Sequence, residues 1–327
     1  VLLQPGDMTR ILYTSGTTGL PKGTVTRKAG SDDPPAVVRS EEELKYAQRP
    51  EDIPYTVLPL FHILAQVDCS LTLSLEGTMG MSRRFSARRF WPEVRRFGCT
   101  RFTFAGSIAH VLLKQLPHPD DRNHPMRLGH GYTPLRDIKE EFEKRFNMVL
   151  IENYGSSDYI RGRFLNLGGP TGSIGKPMPG GPLVKIVDEQ GKECPPYAIG
   201  EIISRPGGEQ FTAKVEYYKM PEASQQKTRD GWFHTGDYGY RDKDGWIFFS
   251  DRERQFIRRR GENISSLEIE RIVNKHPEVE ESAAVGVRAE FGEQDVKICV
   301  VLKPGSKLTP EKLVAWCEDH MGYYMVP

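Results

Sequence analysis

One stretch of the 327-residue chain carries more chemical information than any other: Thr14-Ser15-Gly16-Thr17-Thr18-Gly19-Leu20-Pro21-Lys22-Gly23. Its glycines allow the backbone to approach an anion closely, its hydroxyl and N–H groups donate hydrogen bonds, and Lys22 supplies a positive charge. It is not a Walker A loop, because that loop places Ser or Thr after its lysine and here Gly23 follows. The stretch therefore predicts a phosphate-binding loop rather than a plain surface turn.

Outward from this loop, apolar runs alternate with helix-period segments. Short strands are predicted at 10–13 (directly before the loop), 55–58, 101–104 and 148–151, and helices from about residue 64, after Ser86 and over 137–146. Pro92 is expected to kink or restart the helix that Ser86 can cap. This alternation predicts a mixed α/β domain.

The character of the chain changes from about residue 172, where Gly and Pro become dense and short alternating runs predict a β-rich subdomain. Beyond residue 251, a helix, two strands and a closing helix with Thr309 at its N-cap predict a small α+β domain. We therefore expect a partial large domain over 1–250 and a truncated C-terminal domain over 251–327.

Composition excludes several classes of protein. The net charge is +1, from 45 Lys+Arg and 44 Asp+Glu, so no overall field attracts nucleic acid. The longest apolar stretch, 102–113, is broken by polar residues and is too short to span a membrane. The five cysteines are scattered without CxxC spacing, which disfavours zinc and disulfides and predicts a cytoplasmic protein.

Further segments accompany the loop in order along the chain. They are Pro59-Leu60-Phe61-His62, Gly131-Tyr132-Thr133-Pro134-Leu135, Asn153-Tyr154-Gly155-Ser156-Ser157-Asp158, Trp232-Phe233-His234-Thr235-Gly236-Asp237, and Asp251-Arg252 through Gly261-Glu262-Asn263 to Glu268-Ile269-Glu270. With the loop, they resemble the adenylate-forming superfamily, which includes acyl-CoA synthetases, luciferases and peptide-synthetase adenylation domains. The segments 85–88 and 261–265 are most similar to those of carnitine- or crotonobetaine-CoA ligases.

The resemblance implies an ATP-dependent carboxylate–CoA ligase that uses ATP, Mg²⁺, CoA and a small carboxylic acid. It assigns nucleotide or CoA binding to Thr14, Ser15, Gly16, Thr17, Thr18, Gly19, Lys22, Gly131, Tyr132, Thr133, Asn153, Tyr154, Gly155, Ser157, Asp237, Arg252 and Gly261. It assigns catalytic roles to Lys22, His62, Ser157 and Arg254, and the metal to Asp158.

Several of these residues also have chemical arguments of their own. Asp158 offers a hard oxygen to Mg²⁺, one methylene shorter than the family's Glu. Asp237 can accept hydrogen bonds from both ribose hydroxyls. Tyr154 is either a flat face for adenine or an ordinary buried aromatic residue. His62 is either part of the acyl pocket or structural.

Alternatives stay open in the second half of the chain. Arg254 is either a hinge residue between two domain orientations or a solvated surface arginine. The run 258–260 is either a solvated face or a contact for the phosphates of CoA.

Two other functions compete with the ligase. The first is adenylation with another acceptor, as in a peptide-synthetase module or a luciferase-like oxidase. The second is a non-catalytic nucleotide-binding fragment. The chain begins just before the loop and ends before the family's C-terminal lysine, so we expect it to be inactive by itself.

Overall fold

The computed structural model describes residues 2–14, 22–30, 46–104, 108–131, 135, 138–177, 181–208, 210–252, 256–259, 262–288 and 294–327. The strands are β1 (Met8–Thr14), β2 (Lys22–Arg27), β3 (Pro54–Thr56), β4 (Gly80–Met81), β5 (Arg101–Phe104), β6 (Leu128–Gly131), β7 (Val149–Ser156), β8 (Tyr159–Leu165), β9 (Leu183–Val187), β10 (Gly200–Arg205), β11 (Thr228–Arg229), β12 (Trp232–Arg241), β13 (Ile247–Arg252), β14 (Phe256–Arg259), β15 (Glu262–Ser265), β16 (Val279–Arg288) and β17 (Gln294–Leu302). The helices are α1 (Ile63–Ser74), α2 (Ala87–Phe97), α3 (Ile108–Leu113), α4 (Lys139–Phe146), α5 (Pro221–Lys227), α6 (Ser266–Val273) and α7 (Pro310–His320), with a 3₁₀ turn at Pro119–Arg122.

A six-stranded sheet with the order β4-β3-β5-β6-β7-β8 organises the first half of the chain. All neighbouring pairs are parallel except β7 and β8, which form an antiparallel hairpin. The carboxyl ends of β3, β5, β6 and β7 therefore lie along one edge of the sheet. In open α/β sheets, ligands bind in the crevice outside this edge.

Aromatic side chains hold helix α2 against this sheet. Phe90 is 1% exposed and packs edge-on against Tyr55 and Phe102, with ring centroids 5.2 and 5.1 Å away. The helix is continuous through Pro92, so the predicted restart there is wrong: buried residues on both sides of the proline anchor one helix. Ser86 occupies the N-cap position, although its side chain makes no capping hydrogen bond.

The other strands form smaller sheets. One has five strands, with the order β11-β12-β10-β9 and with β13 paired to β12. The hairpins β1–β2, β14–β15 and β16–β17 are two-stranded and antiparallel. The mixed α/β class predicted from the sequence is confirmed.

The chain forms two compact units. The first contains Val1–Lys185, Ile203–Thr235 and Arg241–Phe248, and the second contains Ile186–Ile202, Gly236–Tyr240 and Phe249–Pro327. The second unit has its own apolar core, in which Ile257 and Ile264 pack with residues of α6 and α7. The domain boundary predicted at 250–251 stays a prediction. In the described part of the chain, no helix is both long and apolar enough to cross a membrane.

Candidate functional site

The glycine- and hydroxyl-rich loop connects two antiparallel strands. Thr14 at the end of β1 pairs with Lys22 at the start of β2, and Leu12 pairs with Thr24. Strand β2 was not predicted from the sequence, although its β-branched residues 24–26 favour a strand. Ser15, Gly16, Thr17, Thr18 and Gly19 lie outside the described residues.

A distant segment, residues 216–218, lies along the free edge of β2. The Val25 N–H donates to the carbonyl of Glu216 over 2.8 Å, and the Tyr218 N–H donates to the carbonyl of Gly23 over 2.7 Å. This antiparallel bridge places Tyr217 opposite Thr24. Tyr217 is only 2% exposed, so the pairing carries its phenol into the interior beside the hairpin.

Asp158 lies in the two-residue connection of the β7–β8 hairpin, between the paired residues Ser156 and Tyr159. Its carboxylate receives two hydroxyl hydrogen bonds. Thr24 Oγ1 donates to Oδ1 over 3.1 Å, and the Tyr217 hydroxyl donates to Oδ2 over 2.9 Å. Asp158 is partly exposed, so its remaining lone pairs are open to a ligand.

Lys22 joins the same group through Tyr217. Its Nζ lies 5.1 Å from the centroid of the Tyr217 ring, a cation–π distance. Burial, together with the adjacent Asp158 carboxylate, raises the pKa of the Tyr217 phenol, which therefore remains a donor at neutral pH. Thus Lys22 and Asp158, selected separately from the sequence, both contact one tyrosine.

A buried carboxylate, Glu152, holds the segments that flank this hairpin. Its oxygens accept from the N–H of Leu135 over 2.7 Å, the N–H of Gly172 over 3.1 Å and the side-chain amide of Asn166 over 3.3 Å. Burial raises the pKa of Glu152, and the hydrogen bonds from Leu135 and Gly172 oppose that rise. The residue therefore links the segment after β6 to β7 and to the turn after β8.

The predicted adenine-binding residues lie at the carboxyl ends of β6 and β7. Gly131 ends β6 against Phe104, where a Cβ would lie 2.2 Å from the phenyl Cζ, so a side chain at this position would require Phe104 to shift. Asn153 is buried, and its Oδ1 has no hydrogen-bond partner within the described ranges. Tyr154 is buried and packs on Phe164, with centroids 5.0 Å apart. Gly155 is exposed on β7, and Tyr132 and Thr133 lie outside the described residues.

The predicted ribose-binding residues belong to the second unit. Asp237 lies in β12, partly exposed, and Arg252 ends the neighbouring strand β13. Gly236 precedes Asp237 with φ of 73°, a left-handed conformation that favours glycine, and its N–H donates to Glu201 Oε1 over 3.0 Å. The whole motif lies within strand β12.

The remaining predicted residues are less connected. His62 is exposed and caps helix α1, its Nδ1 accepting from the Leu64 N–H over 3.3 Å; desolvation lowers the pKa of His62, which suits a neutral acceptor. Ser157 is partly exposed beside Asp158. Arg254 and Gly261 lie outside the described residues.

Within the basic run 258–260, the side chain of Arg259 forms an ion pair and hydrogen bonds within the protein. Its guanidinium pairs with Asp295 over 3.0 Å and donates to the carbonyls of Tyr324 and Val326 over 3.2 and 2.6 Å. The Nε and Nη1 donors of Arg259 are therefore engaged within the protein.

The donor set around Asp158 suits a phosphate-bound Mg²⁺ ion. Magnesium is commonly held by one or two carboxylates, with water and substrate phosphates completing its octahedron. The described residues contain no group of three or more His, Cys, Asp or Glu side chains that could hold a metal by themselves. A single oriented carboxylate near Lys22 therefore fits an ion that arrives with a polyphosphate.

Three residues of this region were not predicted from the sequence: Thr24, Tyr217 and Glu152. Thr24 and Tyr217 contact Asp158 from positions 134 and 59 residues away. No local pattern marks such partners, although the place of Glu152 directly before the Asn153-Tyr154-Gly155 motif is a weak signal.

Comparison with known proteins identifies the family. Residues 1–210 match the family described as AMP-binding enzyme, and residues 268–327 match its C-terminal domain. The chain is 35% identical to the crotonobetaine/carnitine–CoA ligase of Proteus mirabilis over 338 residues and 34% identical to that of Salmonella arizonae over 340. Each alignment covers 99% of this chain and 63% of the relative, so the chain spans less than two thirds of their length.

Solved structures agree in fold. ATP-bound MatB from Rhodopseudomonas palustris superposes with a TM-score of 0.82 at 25% identity, covering 99% of this chain and 64% of MatB. O-succinylbenzoate-CoA synthetase (MenE) from Bacillus subtilis, in complex with ATP and magnesium, gives a TM-score of 0.79 at 24% identity, with 99% and 66% covered. Since the family match includes the phosphate loop, the Asp158 hairpin and the C-terminal unit, the chain belongs to the AMP-binding enzyme family.

Proposed function

We propose that the protein containing this chain is an ATP-dependent carboxylate–CoA ligase. A carboxylate oxygen attacks the α-phosphorus of ATP and displaces pyrophosphate, and the sulfur of CoA then attacks the acyl carbon and displaces AMP. The observation that carries the proposal is the Asp158 carboxylate, oriented by Thr24 and Tyr217 beside Lys22. The names of the relatives support carnitine-like acids as substrates, and scattered cysteines support a cytoplasmic location.

The residues divide the work of the first step. Lys22 supplies positive charge at the exit of the phosphate loop, where pyrophosphate accumulates charge. Asp158 would hold Mg²⁺, which when bound offsets the negative charge of the phosphates. The Oδ1 of Asn153, which has no hydrogen-bond partner among the residues that the structure describes, offers an acceptor to the amino group of adenine. Asp237 and Arg252 are proposed for the ribose, Ser157 for the α-phosphate and Arg254 for the hinge.

The test separates the two half-reactions in the gene product that contains this chain. Acid-dependent exchange of pyrophosphate into ATP reports adenylation, and a CoA-dependent thioester detected by mass spectrometry reports transfer. Asp158→Asn should lower exchange by at least about tenfold and raise the Mg²⁺ concentration required. Glu216→Gln is the matched control, because that carboxylate pairs with Arg27 instead, 2.7 Å away.

Each result bears on a different part of the proposal. Exchange without thioester would assign the protein to another acceptor, as in peptide-synthetase or luciferase-like enzymes. Nucleotide binding without exchange for any acid would favour a non-catalytic nucleotide-binding protein. Equal exchange by Asp158→Asn and Glu216→Gln would remove Asp158 from the metal site.

A further inference from the structure

A second carboxylate, Asp68, lies buried on helix α1 and is not used by the proposed nucleotide site. It is 9% exposed. Its Oδ1 accepts a hydrogen bond from Thr103 Oγ1 over 3.0 Å. Its Oδ2 is also buried and has no hydrogen-bond partner in the part of the chain that the structure describes. A buried carboxylate oxygen without a partner is rare and calls for a functional explanation.

The surroundings only partly compensate this charge. Burial raises the pKa of Asp68 to about 6, while the Thr103 hydrogen bond and the positive charge of Arg101 oppose the rise. Arg101 is itself shared, since it lies 3.8 Å from Asp52 and 3.2 Å from the Nε2 of His130. Cys69 is also a titratable neighbour, and burial together with the charge of Asp68 raises the pKa of its thiol. Asp68 therefore carries charge that its neighbours do not fully balance.

The position of Asp68 in the fold indicates where this charge acts. Thr103, its partner, is the second-last residue of β5 and pairs with His130 of β6. Both strands therefore end at the same edge of the sheet as β7, the strand that leads to Asp158. Strands lie about 4.8 Å apart, so β5 and β7 are separated by about 10 Å across this edge. A small molecule whose carboxylate reacts near the β7–β8 hairpin can extend along this edge toward β5.

We infer that Asp68 is a specificity-determining residue that selects carboxylic acids carrying a quaternary ammonium group. This inference rests on the proposed ligase function and names the residue that distinguishes acids by their charge. A quaternary ammonium has no N–H to donate, so it is recognised by charge rather than by hydrogen bonds. A carboxylate that is shielded from water and lacks one hydrogen-bond donor meets that requirement, because its field is weakly screened.

The test compares two acids of equal shape: a trimethylammonio acid and its uncharged isostere, in which carbon replaces nitrogen. In the gene product that contains this chain, kcat/KM should favour the cationic acid, and Asp68→Asn should lower that preference by at least about tenfold. Glu140→Gln is the control, because it removes the same charge from an exposed position on α4 and should leave the preference as in the wild type. A purely structural role for Asp68 would lower turnover of both acids alike.

Asp68→Ser, a smaller neutral variant, gives the same comparison if Asp68→Asn does not fold, as judged by circular dichroism. An unchanged preference in a folded variant, with both acids still turned over by the wild type, overturns the inference and leaves the ligase function standing. If the wild type neither binds nor turns over either acid, although ATP binds, both proposals fail. Preference for the uncharged isostere in the wild type would likewise overturn the role of Asp68.

Discussion

The Tyr217 hydroxyl donates to Asp158 Oδ2 over 2.9 Å, and the ring of the same tyrosine lies 5.1 Å from Lys22 Nζ. One buried side chain thus contacts both the carboxylate and the cation of the candidate site. Since the residues on both sides of Tyr217 make backbone hydrogen bonds to β2, the strand that follows the phosphate loop also sets the orientation of the Asp158 carboxylate. A carboxylate that is already oriented loses less entropy when it binds a metal ion than a freely rotating carboxylate does.

Tyr217→Phe should weaken Mg²⁺·ATP binding while preserving the aromatic ring beside Lys22. The substitution removes one of two hydroxyl donors to Asp158 and leaves that of Thr24, so the carboxylate is less firmly oriented. We expect the Mg²⁺ concentration for half-maximal ATP binding, measured by calorimetry, to rise by about tenfold. Tyr218→Phe is the control, because that neighbouring residue is 39% exposed. Equal Mg²⁺ dependence in the two variants would contradict the role of the hydroxyl.

Asp68 should make stability depend on pH. Its pKa of about 6 lies above the ordinary value of 3.8, so the folded state binds the proton more tightly than the unfolded state does. Stability should therefore fall as pH rises from about 4 to about 6, and stay low above that range. A rise of the pKa from 3.8 to about 6 corresponds to about 3 kcal/mol.

Urea unfolding of the wild type and Asp68→Asn across this pH range measures the effect. The free energy of unfolding of the wild type should decline relative to that of the variant by up to about 3 kcal/mol between pH about 4 and about 7. Parallel pH profiles would show that Asp68 titrates normally in the folded protein.

Gly131→Ala should destabilise the sheet at the carboxyl end of β6. A Cβ at this position would lie 2.2 Å from Phe104 Cζ, and Phe104 is fully buried in the core. Overpacking of this kind costs about 1–3 kcal/mol in the free energy of unfolding, measured by urea titration. Gly77→Ala is the control, because its Cβ would lie 3.4 Å from the nearest atom, an ordinary contact. A stable Gly131→Ala variant would mean that Phe104 can move aside.

The class of fold and the order of the motifs followed from the sequence alone. The spacing of apolar residues near Tyr55, Phe102 and Leu150 indicates which faces of the strands and helices are buried. This spacing can be recognised within a short segment of the chain. The phosphate loop, the Asp158 position and the Thr309 cap are likewise read within a few residues. Two local predictions were incomplete: β2 was missed, and α2 continues through Pro92 because packing overrides the local effect of proline.

Tertiary structure alone decided which residues meet. Tyr217 and Thr24 reach Asp158 only because residues 216–218 pair with β2, and Asp68 meets Thr103 only because α1 packs on β5. Such contacts depend on strand order and register, which bring together residues far apart in the chain and leave no periodic trace in either segment. Sequence could therefore name the chemical groups of the site, whereas the hydrogen bonds that orient them, and the unbalanced charge of Asp68, came from the fold.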